Sequence, residues 1–268
     1  MNLLIGNLNI HFGEQHFLGP LAANFGMGHL NLVVGRSGCG KSTLLKLIAG
    51  FHKDYTGAIS IDEEYFDPQG KVALAFQNPE SLFFNDTVFE EIAYAIKSTS
   101  DKKINIESNV NEWMKKWGLD PEKYSNKYPF HLSGGEKRRV ALAACTILKP
   151  SIILLDEPLA GLDRDGQRDL SAIINSLVND HIVIVVTHEP ELLLKEDTQV
   201  LYIGSEQVIQ LSSQEFLTNA VMKPEFYPLP DWYRNSVAPY SEKFYLPMVN
   251  AQDVFDFLEQ AKNEPDNQ

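Results

Sequence analysis

The stretch "GRSGCGKS", Gly35 to Ser42, narrows what this chain can be more than any other feature. It satisfies G-x-x-x-x-G-K-[ST] at every fixed position. Before it stands "LNLVV", a short apolar run suited to a strand buried on both faces. After it come Leu44, Leu45, Leu47 and Ile48 at helical spacing, with Gly50 placed as a C-cap. Strand, glycine loop and helix together form the setting of a nucleotide phosphate loop. Its glycines let backbone N–H groups curl around a β-phosphate, and the helix presents its positive end. Lys41 would reach the β- and γ-phosphates and Ser42 would ligate Mg²⁺. Arg36, Ser37, Gly38, Cys39, Gly40 and Thr43 complete the loop.

The rest of the chain alternates strand and helix signals, so the fold class is α/β. "LLIGNLNIHF" and "KVALAFQ" read as strands. "GAISIDEEYFD" reads as strand and turn, with Asp62, Glu63 and Glu64 a solvated turn rather than a metal site. From about 79 to 149 the pattern becomes helical. It contains "TVFEEIAYAIKS" with Thr87 as N-cap, "NVNEWMKKWGL" closed by Gly118, and "SGGEKRRVALAACTIL". "SIILLDEP" and "HIVIVVTHEP" restore strands around the helical "DGQRDLSAIINSLV", and "TQVLYIGSEQVIQL" reads as a terminal hairpin. From about Ser213 the chain turns proline- and aromatic-rich, and "NAQDVFDFLEQAK" near the end reads as a helix.

Composition sets the outer limits. Hydrophobic residues make up 44% and charged residues 22% of 268 positions, as in an ordinary globular chain. A net charge of −13 argues against generic nucleic-acid binding, which needs clustered Lys and Arg. "EKRR" at Glu136 to Arg139 is a short local exception. Two cysteines, Cys39 and Cys145, make neither a disulfide framework nor a zinc spacing and point to a reducing compartment. The first residues lack the marks of a signal peptide, and no apolar run approaches the about 20 residues of a spanning helix. Work at a membrane would need another chain to supply the membrane part.

Two acids mark a second element of chemistry. Asp156 ends the apolar strand "IILLD", where a carboxylate can hold Mg²⁺ through water. Glu157 follows, placed to orient or deprotonate an attacking water. The alternative for any acid at a strand end is a solvated cap.

"LSGGE", Leu132 to Glu136, resembles the signature loop of ATP-binding-cassette (ABC) ATPases. The other motifs fall in that family's order. Gln77 in "AFQNPE" resembles the Q-loop glutamine, "AGLD" to Asp163 the D-loop, and His188 in "VVTHE" the switch histidine. The resemblance spans roughly Leu3 to Leu211. It implies a P-loop NTPase core with an antiparallel β subdomain, a helical signature-motif subdomain and a C-terminal extension. The corresponding boundaries are 1–212 for the nucleotide-binding domain and 213–268 for the extension.

The family's ATPases close head to tail, each signature loop covering its partner's ATP. Ser133 and the N–H groups of Gly134 and Gly135 would then form an anion site at a helix start, needing no lysine. A plain helix N-cap by Ser133 describes the same atoms. The resemblance also implies roles for single residues. His188 would contact the γ-phosphate, Gln77 would touch Mg²⁺ or water, and Asp163 would bridge subunits. Phe12 is the candidate to stack on adenine, with His11 as a rival. Glu136 stands where Gln is common, with an effect on ribose contacts. Cys39, near Lys41 and the loop dipoles, is expected to favour thiolate and to be sensitive to alkylation.

Within the family, "NPESLFFNDTVFEEIAYAI" is similar to energy-coupling-factor importers of vitamins and transition metals. Asn78, Pro79, Phe83, Thr87, Val88, Glu90, Glu91, Ile92 and Ala93 fit that pattern, whereas Leu82 and Tyr94–Ala95 depart from it. Phe83 and Phe84 are either core or a surface for a membrane partner's coupling helix.

The implied partners are a second ATPase subunit, identical or related, a transmembrane coupling protein and a substrate-binding membrane protein. No nucleic acid is among them. The implied location is the cytoplasmic face of the membrane. The tail is either a wrap on its own domain or a contact between ATPase subunits. Rival readings are another class of ABC transporter, a non-transport cassette acting on DNA or ribosomes, and a P-loop kinase of a small molecule.

Overall fold

The computed structural model describes residues 1–13, 15–98, 105–204, 207–223 and 225–231. Two sheets organise the chain. The first is antiparallel, in the order β2-β1-β4-β5, built from β1 (Asn2–Phe12), β2 (Gln15–Gly26), β4 (Tyr55–Ile61) and β5 (Glu64–Tyr65). Asp62 and Glu63 turn the β4–β5 hairpin, both with left-handed φ, so the acidic cluster is a turn as its composition implies.

The second sheet has six strands. It comprises β3 (Leu30–Gly35), β6 (Val72–Ala75), β7 (Ile152–Asp156), β8 (Ile182–Val186), β9 (Gln199–Ile203) and β10 (Val208–Ser212). Their order is β10-β9-β3-β8-β7-β6, parallel except for the β9–β10 hairpin.

The apolar runs of β3, β7, β8 and β9 are continuous because both faces of this sheet are covered. Val33, Leu154, Ile184 and Leu201 point into a core shared with the antiparallel sheet and α1 (Lys41–Ile48). Their neighbours Leu32, Leu155, Val185 and Val200 point the other way, into the larger core under the remaining helices. Period-2 alternation survives as geometry even though it vanishes as a polarity pattern.

That larger core takes the apolar faces of α2 (Val88–Lys97), α3 (Ile106–Lys116), α5 (Gly134–Thr146) and α6 (Arg164–Leu177), with a short α4 (Pro121–Tyr124). Thr87 caps α2 by accepting from the Glu90 N–H, and Gly118 closes α3 at φ 68°. Trp113 on α3 and Trp117 at its C-cap, both fully buried, donate their indole N–H to Thr146 Oγ1 of α5. A buried indole needs such an acceptor, and one threonine pins α3 to α5.

A further helix, α7 (Ser213–Met222), opens the stretch after β10. Ser212 and Glu215 form its capping box, and Phe216, Leu217 and Ala220 enter the larger core. Sequence periodicity did not single this helix out, although Ser212 followed three residues on by Glu215 is a start signal. The helix expected at 250–262 lies outside the described residues.

Candidate functional site

β3 lies between β9 and β8, so the loop that leaves it emerges at the middle of the carboxyl edge of the parallel strands. In an open α/β sheet that edge is where ligands sit. Gly35 must be glycine, since a Cβ there would collide with the carbonyl of Ile203 on the adjacent strand. Gly40 is the N-cap of α1 at φ 102°, and no side chain caps that helix. The first-turn N–H groups of α1 are therefore unspent by any cap and face the loop.

Lys41 is only 5% exposed, and its ammonium donates to Gly35 O at 2.9 Å and Arg36 O at 3.0 Å. An ammonium carries three donors, so two of them wrap the loop around the charge. Ser42 and Thr43 follow in the first turn of α1, half-buried. Arg36, Ser37 and Gly38 are exposed at the rim.

Cys39 corrects its sequence-based reading. Its Sγ packs against Gly35, and burial pushes the thiol pKa up despite the opposing charge of Lys41. Desolvation outweighs the loop dipoles, so burial disfavours the thiolate that the loop position suggests.

Asp156 ends β7 and Glu157 follows, with its amide donating to Val186 O of β8 at 2.9 Å. Glu157 has φ 51°, a left-handed value that costs energy in a non-glycine residue and is typical of functional turns. That turn aims its carboxylate at the end of β8. His188 meets it there twice, the amide N–H donating to Oε2 at 3.2 Å and Nε2 lying 3.4 Å from Oε1. Burial raises the Glu157 pKa, the His188 N–H and Lys41 oppose the rise, and Asp156 and Glu189 add to it. Burial and the Lys41 charge lower the His188 pKa. The structure therefore gathers Lys41, Asp156, Glu157 and His188 into one electrostatic neighbourhood from β3, β7 and β8.

The remaining candidates sit around this centre or apart from it. Gln77 is exposed just after β6, and its carbonyl accepts from Arg138 Nη1. Asp163 caps α6, accepting from the Gly166 N–H at 2.8 Å. Phe12 is half-exposed, edge-on to Phe17 and tilted against His52. Phe17, which sequence reasoning passed over, stands against Gly40 of the loop. Ser133 caps α5 in a full capping box with Glu136, leaving Gly134 exposed. Glu136 is held well down, to about 2, first by Tyr124, whose hydroxyl donates to Oε1 at 2.7 Å. Its other oxygen takes the Ser133 N–H at 2.8 Å. Both carboxylate oxygens thus accept hydrogen bonds from within the chain.

Residues 18–160, more than half of the chain, match the model of the ABC transporter family. The chain belongs to the ABC transporter family. As an ABC ATPase it binds and hydrolyses ATP. The energy-coupling factor transporter ATP-binding protein EcfA2 of Thermotoga maritima is 37% identical over 195 residues, covering 71% of this chain and 73% of that protein. EcfA2 of Ligilactobacillus salivarius is 33% identical, over 83% and 78% respectively. The fold also superposes on CbiO1 from Clostridium perfringens, part of the ABC transporter complex CbiONQ, with a TM-score of 0.71. That likeness covers 83% of this chain and 96% of CbiO1 at 24% identity, and shows the fold alone.

This ABC ATPase carries two further features that its sequence motifs do not specify. Arg138, buried one turn into α5, reaches two other segments: the loop after β6, through the Gln77 carbonyl and the Glu80 carboxylate at 3.3 Å, and the turn after Glu157, through the Ala160 carbonyl at 3.3 Å. The adjoining aromatics divide. Phe83 is buried, whereas Phe84 is 61% exposed with Tyr94 edge-on at 4.7 Å. Leu82, Tyr128 and Phe130 are exposed as well, Phe130 lying edge-on to Phe83 at 5.9 Å. Glu91, buried, holds the Phe84 segment by accepting from the Phe84 N–H, the Asn85 N–H and the Asn85 side-chain amide. Among the described residues no helix is long and apolar enough to cross a membrane, and no cluster of three or more His, Cys, Asp or Glu could hold a metal ion.

Proposed function

We propose that this chain is the ATP-hydrolysing subunit of a membrane importer of the energy-coupling-factor type, moving a vitamin or a transition metal. The observation that carries the catalytic half is the placement of Glu157 and His188 against each other beside Lys41. The relatives named energy-coupling factor ATP-binding proteins support the transport half.

The loop from Gly35 to Thr43 wraps the nucleotide phosphates, with Lys41 and the α1 N–H groups countering their charge. Glu157 receives the proton of a water attacking the γ-phosphorus, as the bond from that phosphorus to the bridging oxygen breaks. Its raised pKa suits a base working near neutral pH. His188, kept neutral by its lowered pKa, directs its ring at the γ-phosphate. Ser42, Asp156 and Gln77 would hold a magnesium ion, whose charge offsets that of the β- and γ-oxygens. Few protein oxygens, with phosphate and water completing the shell, suit that ion. Phe12 serves as the adenine platform.

Ser133, Gly134, Gly135 and Glu136 act on the nucleotide of a second ATPase subunit in a head-to-tail dimer, and Asp163 lies at that junction. The apolar surface around Phe84 and Tyr94 receives a helix from a transmembrane coupling protein, which works with a substrate-binding membrane protein. An exposed aromatic cluster of this kind marks an interaction site. Attachment through that partner places the chain at the cytoplasmic face of the membrane.

Glu157→Gln tests the catalytic assignment. Fluorescent ATP-analogue affinity is expected to stay within twofold, while phosphate release falls by about 10²-fold or more. Wild-type turnover in this variant removes Glu157 as the base.

A further inference from the structure

Beyond α7 the chain returns to the catalytic edge of the sheet. Tyr202 on β9 donates its hydroxyl to Phe226 O at 2.7 Å, and the two rings lie 4.1 Å apart. Phe216 on α7 packs against both Phe226 and Tyr227. Tyr227 and Leu229 are buried in the larger core. Residues 226–229 thus form a strap fastened from two elements.

The strap ends on the switch loop. The Tyr227 hydroxyl donates to the His188 carbonyl at 2.9 Å. The amide on the other side of His188 donates to Glu157 Oε2. One peptide flanking the His188 Cα is therefore tied to the catalytic carboxylate, and the other to the strap. Those two ties hold the backbone on both sides of the Cα, and with it the direction in which the side chain leaves the chain. A buried phenol hydroxyl must find an acceptor. Burial, then the charges of Glu191, Glu157 and Glu189, raise the Tyr227 pKa, so it remains a donor across the physiological range.

We infer that Tyr227 is a positioning residue for His188, and that residues 226–229 serve the hydrolytic site of their own subunit. This rests on the role given to His188 under Proposed function. The strap is separate in kind from a contact between subunits: it acts inside one chain, through a backbone carbonyl 39 positions away.

The test uses the full-length chain and three variants. Tyr227→Phe keeps the ring and deletes one hydroxyl. Its kcat for ATP hydrolysis is expected to fall about fivefold, the order set by one net hydrogen bond. KM for ATP and fluorescent ATP-analogue affinity are expected to stay unchanged, because the phosphate loop is untouched. His188→Ala is expected to lose more activity than Tyr227→Phe. If His188→Ala hydrolyses ATP at the wild-type rate, the parent assignment of His188 fails and the inference falls with it. If His188→Ala is impaired while Tyr227→Phe keeps wild-type kcat, or changes only KM or melting temperature, the positioning role alone is overturned. Should Tyr227→Phe fold poorly, Tyr202→Phe releases the strap from its other end. A fall in kcat at constant KM then supports the inference, and a wild-type kcat overturns it.

Discussion

Glu191 shows how much a single residue's surroundings decide. It follows the switch loop at a turn, 6% exposed, with Oε2 lacking a hydrogen-bond partner. Burial pushes its carboxyl up to about 7 from an ordinary 4.5. The folded chain therefore binds this proton more tightly than the unfolded chain does. Well below about 4.5 the group costs nothing; the cost grows as pH rises from there and levels off above about 7. Glu191→Gln removes that cost. Its melting temperature is expected to match wild type at about pH 3.5 and to exceed it at pH 8, by a stability of at most about 3–4 kcal/mol. Equal melting temperatures at pH 8 would show that water or rearrangement satisfies the carboxylate. Lys41 and Ser42 were legible at this scale, because a phosphate loop is a property of consecutive residues. The Cys39 thiol was not: its protonation depends on packing between Gly35 and β9, which no local pattern encodes.

Helix α5 illustrates the element scale. Its start was readable from Ser133 and Glu136, since a capping box is complete within four residues. Its work inside the protein depends on Arg138, which looked like one member of a short basic run. Buried and paired with Glu80, it fastens α5 to the loop of Gln77 and to the turn after Glu157. Displacement of the Gln77 loop would therefore be felt directly by α5. Arg138→Met keeps bulk but strands the Glu80 carboxylate and two carbonyls. It is expected to lower unfolding free energy by about 2–3 kcal/mol, less than a fully buried pair because Glu80 is partly exposed. Combined with Glu80→Gln in denaturant titrations, the double variant is expected to lose less than the sum of the two, by about 1 kcal/mol. Strict additivity would show that the two side chains do not interact.

At the scale of the whole molecule, the chain presents a complete phosphate loop and an exposed signature loop on separate elements. Ser133→Arg puts a bulky charge at the exposed start of α5. Fluorescent ATP-analogue binding is expected to persist, because Gly35 to Thr43 are untouched. Light scattering of the Glu157→Gln background with ATP is expected to show a dimer, and the same background carrying Ser133→Arg to show a monomer. A dimer in both would mean that closure does not use this loop.

The sequence by itself determined whatever is set by neighbours a few positions apart. The phosphate loop, the caps at Thr87 and Ser133, the stop at Gly118 and the apolar β3, β7 and β8 all belong there, because turns and helix ends are closed by local hydrogen bonds. The tertiary structure decided which distant residues meet. Strand order brings β8 beside β7, so His188 reaches Glu157 across 31 positions. Packing of α7 carries Tyr227 back to His188, and burial of α5 delivers Arg138 to Gln77. Such meetings follow from burying two apolar cores around one sheet, a condition on the whole chain that hydrophobic periodicity cannot express.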